Sequence, residues 1–273
     1  MKGVAAFCLA SLLVPPSAAR AQASGTAASL AAATSQTSST SSPPQFLSGY
    51  HVRVGASRLA TGDDRFTWDG RFNGDVDLFQ HGRSRINFLA EYEVVLGSEL
   101  RTFDPNQNLY TLELRVARRY GANEFVGLIH HVSRHLSDRA KTQAVDWNAI
   151  GAELRRSETL GLIRTESLLR ADWIAKHTYA DYTWRLNSRV RLLRPTTPRV
   201  TWISEGSLDF VGTDHAMAGR NTQVGAYLEG GARLGGSAGS LDLILAFERR
   251  IDADPLIRGP MSWGLFGFRL VTR

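Results

Sequence analysis

The sequence predicts an all-β fold, an antiparallel transmembrane β-barrel of about twelve strands, and three observations carry this prediction. From residue 45 onward, segments of roughly 9–14 residues alternate between apolar and polar side chains, which is typical of strands with two different faces. Turn residues separate these segments, and the connections between them alternate in length. The chain contains no run of about 20 apolar residues, the length that a membrane helix needs.

The alternation is clear in residues 85–96. The apolar side chains of one face are Ile86, Phe88, Ala90, Tyr92, Val94 and Leu96. The opposite face carries charges of both signs, including Arg85, Glu91 and Glu93. In a soluble β-sandwich such apolar faces pack against each other, whereas in an outer-membrane barrel they face lipid and the charges fill the lumen. The alternation alone leaves both folds open.

Connection lengths favour the barrel. The segments predicted as strands are 46–58, 66–79, 84–97, 107–120, 123–135, 143–156, 161–172, 178–192, 199–211, 221–234, 240–250 and 262–272. The short joints are 80–83, 120–123, 157–160 and 234–239, and the longer polar links are 59–65, 98–106, 136–142, 212–220 and 251–261. Bacterial barrels have short periplasmic turns and longer outer loops. An even number of strands places both termini on the periplasmic side.

The N-terminal residues predict export to this location. Residues 1–21 have the features of a signal peptide, with Lys2 at the start, an apolar core and the cleavage site Ala19-Arg20-Ala21. Residues 22–44 are rich in Ala, Ser and Thr, which predicts a flexible low-complexity lead-in. The barrel is therefore predicted for residues 45–273, in the outer membrane of a bacterial cell.

Arginine dominates the positive charge of the chain. Of 32 Lys and Arg residues, only Lys2, Lys141 and Lys176 are lysines, and the net charge is +6. The arginines are spread singly, often beside Asp or Glu, which favours ion pairs over a nucleic-acid-binding patch. We expect most of them to lie in the lumen, paired with Glu91, Glu93, Glu113, Glu153, Glu229 and Glu248. No nucleic-acid partner and no cofactor are expected.

The stretch Gly127–Asp138 is the candidate for chemistry. On an extended strand, His131, Ser133 and His135 share one face near the outer rim. Antiparallel pairing with the next strand would bring Asp146 close to His131 and Ser133. Serine, histidine and carboxylate can serve as nucleophile, base and orienting group. The expected site is therefore a Ser-His-Asp arrangement.

The segment Gly-Leu-Ile-His-His-Val-Ser, residues 127–133, resembles the His-x-Ser strand of lipid A 3-O-deacylases and of outer-membrane phospholipase A, a twelve-stranded barrel. The resemblance implies hydrolysis of an acyl ester, with His131 as base and Ser133 as nucleophile. In these families an acidic or amide residue follows about a dozen positions after the serine. That offset falls on Val145 here, and Asp146 is the next residue. The longer string, which continues through His135 to Asp138, is also similar to one in uncharacterised outer-membrane barrels and implies no activity.

Alternatives remain open at this stretch. A serine and histidines at a strand end also fit ordinary rim residues, hydrogen-bonded to loops or lipid headgroups. A metal site from His130, His131, His135 and Asp138 is another possibility, although such alternate strand positions spread over about 13 Å.

The residues with predicted binding roles near the outer rim are His135, Arg134, Arg139 and Asp138. Arg134 and Arg139 are candidates to meet lipopolysaccharide phosphates. The expected partners are outer-membrane lipid or lipopolysaccharide and, during biogenesis, the barrel-assembly machinery. The chain is then either an acyl-ester hydrolase acting on lipid A or phospholipid, or a non-enzymatic barrel that serves as a narrow pore or a structural protein.

Overall fold

The computed structural model describes residues 43–136, 144–217 and 219–272, which form one closed antiparallel barrel. Its strands are β1 (Gln45–Ala60), β2 (Trp68–His81), β3 (Ser84–Gly97), β4 (Asp104–Tyr120), β5 (Asn123–His135), β6 (Val145–Leu160), β7 (Ile163–Thr178), β8 (Tyr182–Pro195), β9 (Val200–Thr213), β10 (Gln223–Gly235), β11 (Gly239–Asp254) and β12 (Gly259–Thr272). Each strand pairs with its neighbours in sequence, and β1 pairs with β12 to close the barrel. The predicted twelve-stranded antiparallel barrel is confirmed.

Several predicted features fall outside the described residues. These are the signal peptide, all of the lead-in except Pro43 and Pro44, and the two candidate binding residues Asp138 and Arg139. No helix in the described part of the chain is long and apolar enough to span a membrane.

The two ends of the barrel carry different connections. One end has the turns 82–83, 121–122, 161–162, 196–199 and 236–238, and the other has the connections 61–67, 98–103, 136–144, 179–181, 214–222 and 255–258. Short turns and both termini mark the periplasmic end of an outer-membrane barrel. The predicted turn at 157–160 is wrong, because β6 runs to Leu160 and the chain reverses at Gly161 with a φ of 61°.

The outer surface of the wall is apolar. On β4, the outward side chains of Leu112, Leu114 and Val116 are 46%, 41% and 58% exposed, and Leu245 of β11 is 70% exposed. Apolar side chains exposed all around a closed barrel match the lipid-facing band of outer-membrane proteins. The chain is therefore an outer-membrane β-barrel, and the alternative of a soluble sandwich is excluded by the closed sheet.

Ion pairs fill much of the lumen, as predicted. Arg170 Nη1 lies 2.8 Å from Glu113 Oε1, and Arg250 Nη1 lies 2.6 Å from Glu93 Oε1. Glu153, Glu229 and Glu248 also have arginine partners. Glu91 departs from the prediction, since it lines the lumen without an ion pair to any described residue. Charges removed from bulk water are retained where they are paired and hydrogen-bonded, which explains the high arginine content.

The outer end of the lumen is crossed by residues 251–254, called the mouth segment here. The β11–β12 register shifts between Arg250 and Asp254, Asp252 has a φ of 44°, and Ala253 is fully buried. Side chains from β4 and β5, on the opposite wall, hold this segment: Gln107 Nε2 donates to Ala253 O at 2.7 Å and Arg134 Nη1 donates to Asp252 O at 2.7 Å. The sequence prediction had placed these residues in the longer polar link 251–261.

Arg220, in the connection 214–222, also binds the mouth segment. Its guanidinium binds the carboxylates of Asp252 and Asp181 at 2.8 and 2.7 Å. The hydrogen bond to Asp252 and then the one to Asp181 raise the pKa of Arg220, although burial acts in the opposite direction. The group therefore stays cationic, and the mouth segment is bound by charged hydrogen bonds.

Candidate functional site

The outward face of β5 carries the predicted chemical residues at its outer end. His131, Ser133 and His135 share this face with Phe125 and Ile129, which are 53% and 55% exposed. Because side chains on a strand alternate, the residues between them point into the lumen. The site therefore lies on the lipid-facing surface of the barrel, close to the rim where β5 ends.

Ser133 is paired with His135. The distance from Ser133 Oγ to His135 Nε2 is 3.0 Å, within the range in which an imidazole can take a proton from a hydroxyl. The His135 ring is held by Tyr110, which lies opposite Ser133 in the β4–β5 register and meets the ring edge to face with centroids 5.4 Å apart. The sequence prediction gave His135 a binding role, and in the structure its Nε2 lies within hydrogen-bonding distance of the Ser133 hydroxyl.

His131 has a different partner. Its Nδ1 lies 2.9 Å from Oδ1 of Asn148, the residue opposite it in the β5–β6 register. A carbonyl oxygen only accepts hydrogen bonds, so Nδ1 carries the proton and Nε2 of the neutral ring keeps its lone pair. Asn148 thereby fixes both the ring orientation and the tautomer of His131. This residue was not among the predicted site residues.

Asp146 lies opposite Ser133 in the register and accepts a hydrogen bond from Thr178 Oγ1 at 3.4 Å. Among the described residues it forms no hydrogen bond with His131, so the predicted role of orienting that histidine is not seen. The reason is the register, because His131 faces Asn148, two residues beyond Asp146. The structure brings Ser133 and Asp146 together and assigns the orienting contact to Asn148.

Arg134 lies on the other side of the wall from the candidate site. It is 9% exposed, and its guanidinium donates to Gln107, Asp252 and Ala253 inside the lumen. The predicted contact of Arg134 with lipopolysaccharide phosphates is therefore corrected, since strand alternation turns its side chain away from lipid.

The alternative of a metal site is not supported. His130 points into the lumen, where its Nδ1 lies 3.3 Å from Glu113 Oε1, whereas His131 and His135 point outward. The barrel wall therefore separates the proposed ligands. Within the described residues no group of three or more His, Cys, Asp or Glu side chains could hold a metal ion.

Polar and aromatic side chains surround Ser133 on the outward face. We define the outer polar patch as Tyr92, Asn108, Tyr110, His131, Ser133, His135, Asp146, Asn148, Lys176 and Thr178, which are contributed by β3 to β7. Within it, Tyr92 Oη donates to Asn108 Oδ1 at 2.7 Å. Tyrosines with their rings toward lipid and their hydroxyls toward polar groups are typical of the membrane interface. Below the patch, the outward residues Leu112, Ile129 and Ile150 are apolar and exposed.

Fold and site together define an outer-membrane β-barrel with a serine–histidine pair on its lipid-facing surface. No protein-family model matches the chain, and no curated protein sequence matches it. Three solved structures with a similar fold can be compared with it. LpxR from Salmonella typhimurium has a TM-score of 0.48 at 7% identity, over 81% of this chain and 99% of that chain.

An outer-membrane channel from Pseudomonas putida F1 also has a TM-score of 0.48, at 11% identity, over 82% of this chain and 95% of that chain. OmpT of Vibrio cholerae has a TM-score of 0.43 at 8% identity, over 82% of this chain and 96% of that chain. These likenesses concern the fold and carry no inference about activity.

Proposed function

We propose that this outer-membrane barrel hydrolyses an acyl ester of a lipid in the outer leaflet, lipid A or phospholipid. The observation that carries the proposal is the hydrogen bond of 3.0 Å between Ser133 Oγ and His135 Nε2 on the lipid-facing surface. A nucleophile paired with a base within hydrogen-bonding reach is the minimal arrangement for acyl transfer. Its place near the outer rim matches the level at which acyl chains join their headgroups.

The reaction would proceed in two acyl transfers. Ser133 Oγ attacks the ester carbonyl carbon while His135 Nε2 takes the hydroxyl proton, and the same imidazolium then protonates the departing alcohol oxygen. Water next attacks the acyl-serine, gives its proton to His135 and releases the fatty acid as Ser133 is reprotonated. No cofactor is consumed in either step. General-base assistance of this type is worth about 10²–10⁴-fold in rate.

His131 is the alternative base for the same serine. It precedes Ser133 by two residues on the same face, and Asn148 leaves its Nε2 able to accept a proton. Rotation about the Cα–Cβ bond of Ser133 turns the hydroxyl from one neighbouring histidine toward the other. The proposal takes His135 as base because the hydrogen bond is formed to that ring.

Replacement of the nucleophile tests the activity. With Ser133→Ala, the acyl pattern of lipid A and phospholipids in expressing cells should return to that of cells without the protein, because no acyl-serine can form. Fatty-acid release by purified protein in mixed micelles should fall at least about 100-fold. The measurement is mass spectrometry of the extracted lipids.

The matched control for this experiment is Ser204→Ala, which changes an exposed, outward-facing serine of β9. It should leave the acyl pattern as in the wild type. Identical lipids in cells with wild-type protein, with Ser133→Ala and without the protein would contradict the proposal.

A second candidate is a non-enzymatic structural barrel. The mouth segment crosses the outer end of the lumen, and ion pairs occupy the interior, which favours a closed barrel over an open pore. A protein with unchanged lipids in the Ser133→Ala test and no conductance in planar bilayers would fit this candidate.

A further inference from the structure

The lumen contains a cavity of about 730 Å³ that the proposed hydrolysis does not use. Among its lining residues are Arg53 of β1 and Arg189 of β8. The side chains of Arg53 and Arg189 form neither an ion pair nor a hydrogen bond with any other described residue. Most other arginines of this lumen are bound to carboxylates, so these two cations are exceptional.

Arg189 is exposed, whereas Arg53 and the neighbouring Arg191 carry buried unpaired donors. Nε of Arg53 and both Nε and Nη2 of Arg191 are shielded from solvent without a hydrogen-bond partner. Arg191 has only distant carboxylates, with Glu205 and Asp242 each 3.6 Å away. Buried N–H groups almost always have an acceptor in folded proteins, so Nε of Arg53, which lines the cavity, points to an acceptor from outside the chain.

The nearby carboxylates are already used by other arginines. Asp242 lies 2.6 Å from Arg233 and 3.1 Å from Arg269, and Glu229 lies 2.8 Å from Arg269. Asp75 also lines the cavity, and its Oδ2 lies 3.6 Å from Nδ1 of His51. Glu205 also lines the cavity and lies 3.6 Å from Arg191, but it forms no ion pair with Arg53 or Arg189.

Several arginines also lie near one another in this part of the lumen. Arg53 lies within the electrostatic range of three cations, Arg269, Arg191 and Arg189, and of one carboxylate, Glu205. β1 and β8 are five places apart around the twelve-stranded sheet, so Arg53 and Arg189 approach from nearly opposite walls. Cations gathered in this way repel each other, and an anion between them would relieve the repulsion and supply the missing acceptors.

We propose that the lumen binds a small oxyanion, a phosphate group, between Arg53 and Arg189. The planar guanidinium fork matches the paired oxygens of phosphate, which a spherical chloride ion cannot satisfy. The cations of the lumen fit this proposal because they are arginines. The one lysine of the described residues, Lys176, lies on the outer surface of β7. The cavity has room for free phosphate or for a small molecule that carries a phosphate group.

Calorimetric titration of the folded full chain with inorganic phosphate tests this site. The detergent-solubilised protein should bind phosphate at constant ionic strength, and potassium chloride in its place should give no saturable binding. Arg53→Gln should raise the Kd at least tenfold, and Arg189→Gln, made separately, should do the same. Folding of each variant is checked by its mobility on a gel without heating.

Arg194→Gln is the matched control, since Arg194 is an exposed arginine on the outer face of β8 and its loss changes the net charge equally. It should bind phosphate like the wild type. Absence of phosphate binding to the wild type, or equal weakening in Arg194→Gln and Arg53→Gln, would overturn the proposal. Ser133→Ala should leave phosphate binding unchanged, because Ser133 lies on the other side of the wall.

A melting experiment gives an independent readout. Without phosphate, Arg53→Gln should melt at or above the wild-type temperature, because a repulsive cation has been removed. With phosphate, the wild type should melt higher than Arg53→Gln, because only the wild type gains the ligand. A variant that melts lower than the wild type by the same amount in both buffers would show that Arg53 is only structural.

Discussion

Ser133 has a histidine two residues away on either side along the outward face of β5, and the two rings are held by different partners. Tyr110 packs against His135, and Asn148 accepts a hydrogen bond from His131. At the scale of single residues, the proposed hydrolysis therefore depends on which imidazole takes the serine proton. In the structure, His135 Nε2 is the ring nitrogen within hydrogen-bonding distance of the Ser133 hydroxyl.

Replacing each of the two histidines in turn distinguishes their roles. His135→Ala should lower fatty-acid release about 100-fold, since the hydroxyl loses its base. His131→Ala should lower it less than tenfold, because this ring is not bonded to Ser133. Rates of fatty-acid release with a phospholipid substrate in mixed micelles measure both. The reverse order of effects would make His131 the base.

The residues of the site show what could be predicted from sequence. Period-two alternation placed His131, Ser133 and His135 together on one face, and this needs only local geometry. Asn148 could not be found in the same way, because its position opposite His131 depends on the register across the connection 136–144. A shift of one residue in that connection would have exchanged the face that β6 presents.

At the scale of elements, β11 and the mouth segment decide whether the barrel is open. The β11 sequence alternates regularly up to Arg250, and the following residues, with Asp252 and Asp254, are polar enough to predict a loop. What turns them inward is a set of contacts from β4 and β5 on the far wall. Such contacts between distant parts of the chain are not visible in a local pattern.

Removal of Arg134 should loosen the mouth segment. Arg134→Met keeps the length of the side chain but leaves the carbonyls of Asp252 and Ala253 without this donor, at about 1–3 kcal/mol for each unsatisfied buried group. We expect a lower melting temperature and the appearance of single-channel conductance in planar bilayers.

The control is Arg249→Met, which alters an exposed arginine of β11 whose side chain, among the described residues, binds the carbonyl of Val224. It should leave both melting and conductance unchanged. If Arg134→Met showed no more conductance than the wild type, the mouth segment would be held in place without Arg134.

At the scale of the whole molecule, the barrel is inverted relative to a soluble protein, with charge inside and apolar side chains outside. This inversion follows from closure, since every strand has a partner on both sides and no edge remains. Alternation and connection lengths were sufficient to predict it from sequence. The wall is thus a scaffold that holds the outer polar patch at the level of the lipid headgroups.

A charged side chain on the lipid-facing surface should destabilise the barrel. Leu245→Arg, in the central part of β11, should destabilise the barrel in lipid vesicles by about 2–4 kcal/mol, whereas the apolar change Leu245→Phe should have little effect. Equilibrium unfolding in urea, followed by tryptophan fluorescence, measures the difference. Equal stability of the two variants would mean that Leu245 does not face hydrocarbon.

Covalent labelling of the serine is the most direct measurement of the proposed function. A sulfonyl fluoride with a long alkyl chain, added to the folded protein in detergent, reacts only with a serine whose proton can be taken by a neighbouring base. Intact-mass and peptide spectra should show a single sulfonyl adduct on Ser133 in the wild type, and almost none in His135→Ala. A wild-type protein that remains unlabelled, or that is labelled equally in His135→Ala, would contradict the proposed serine–histidine pair.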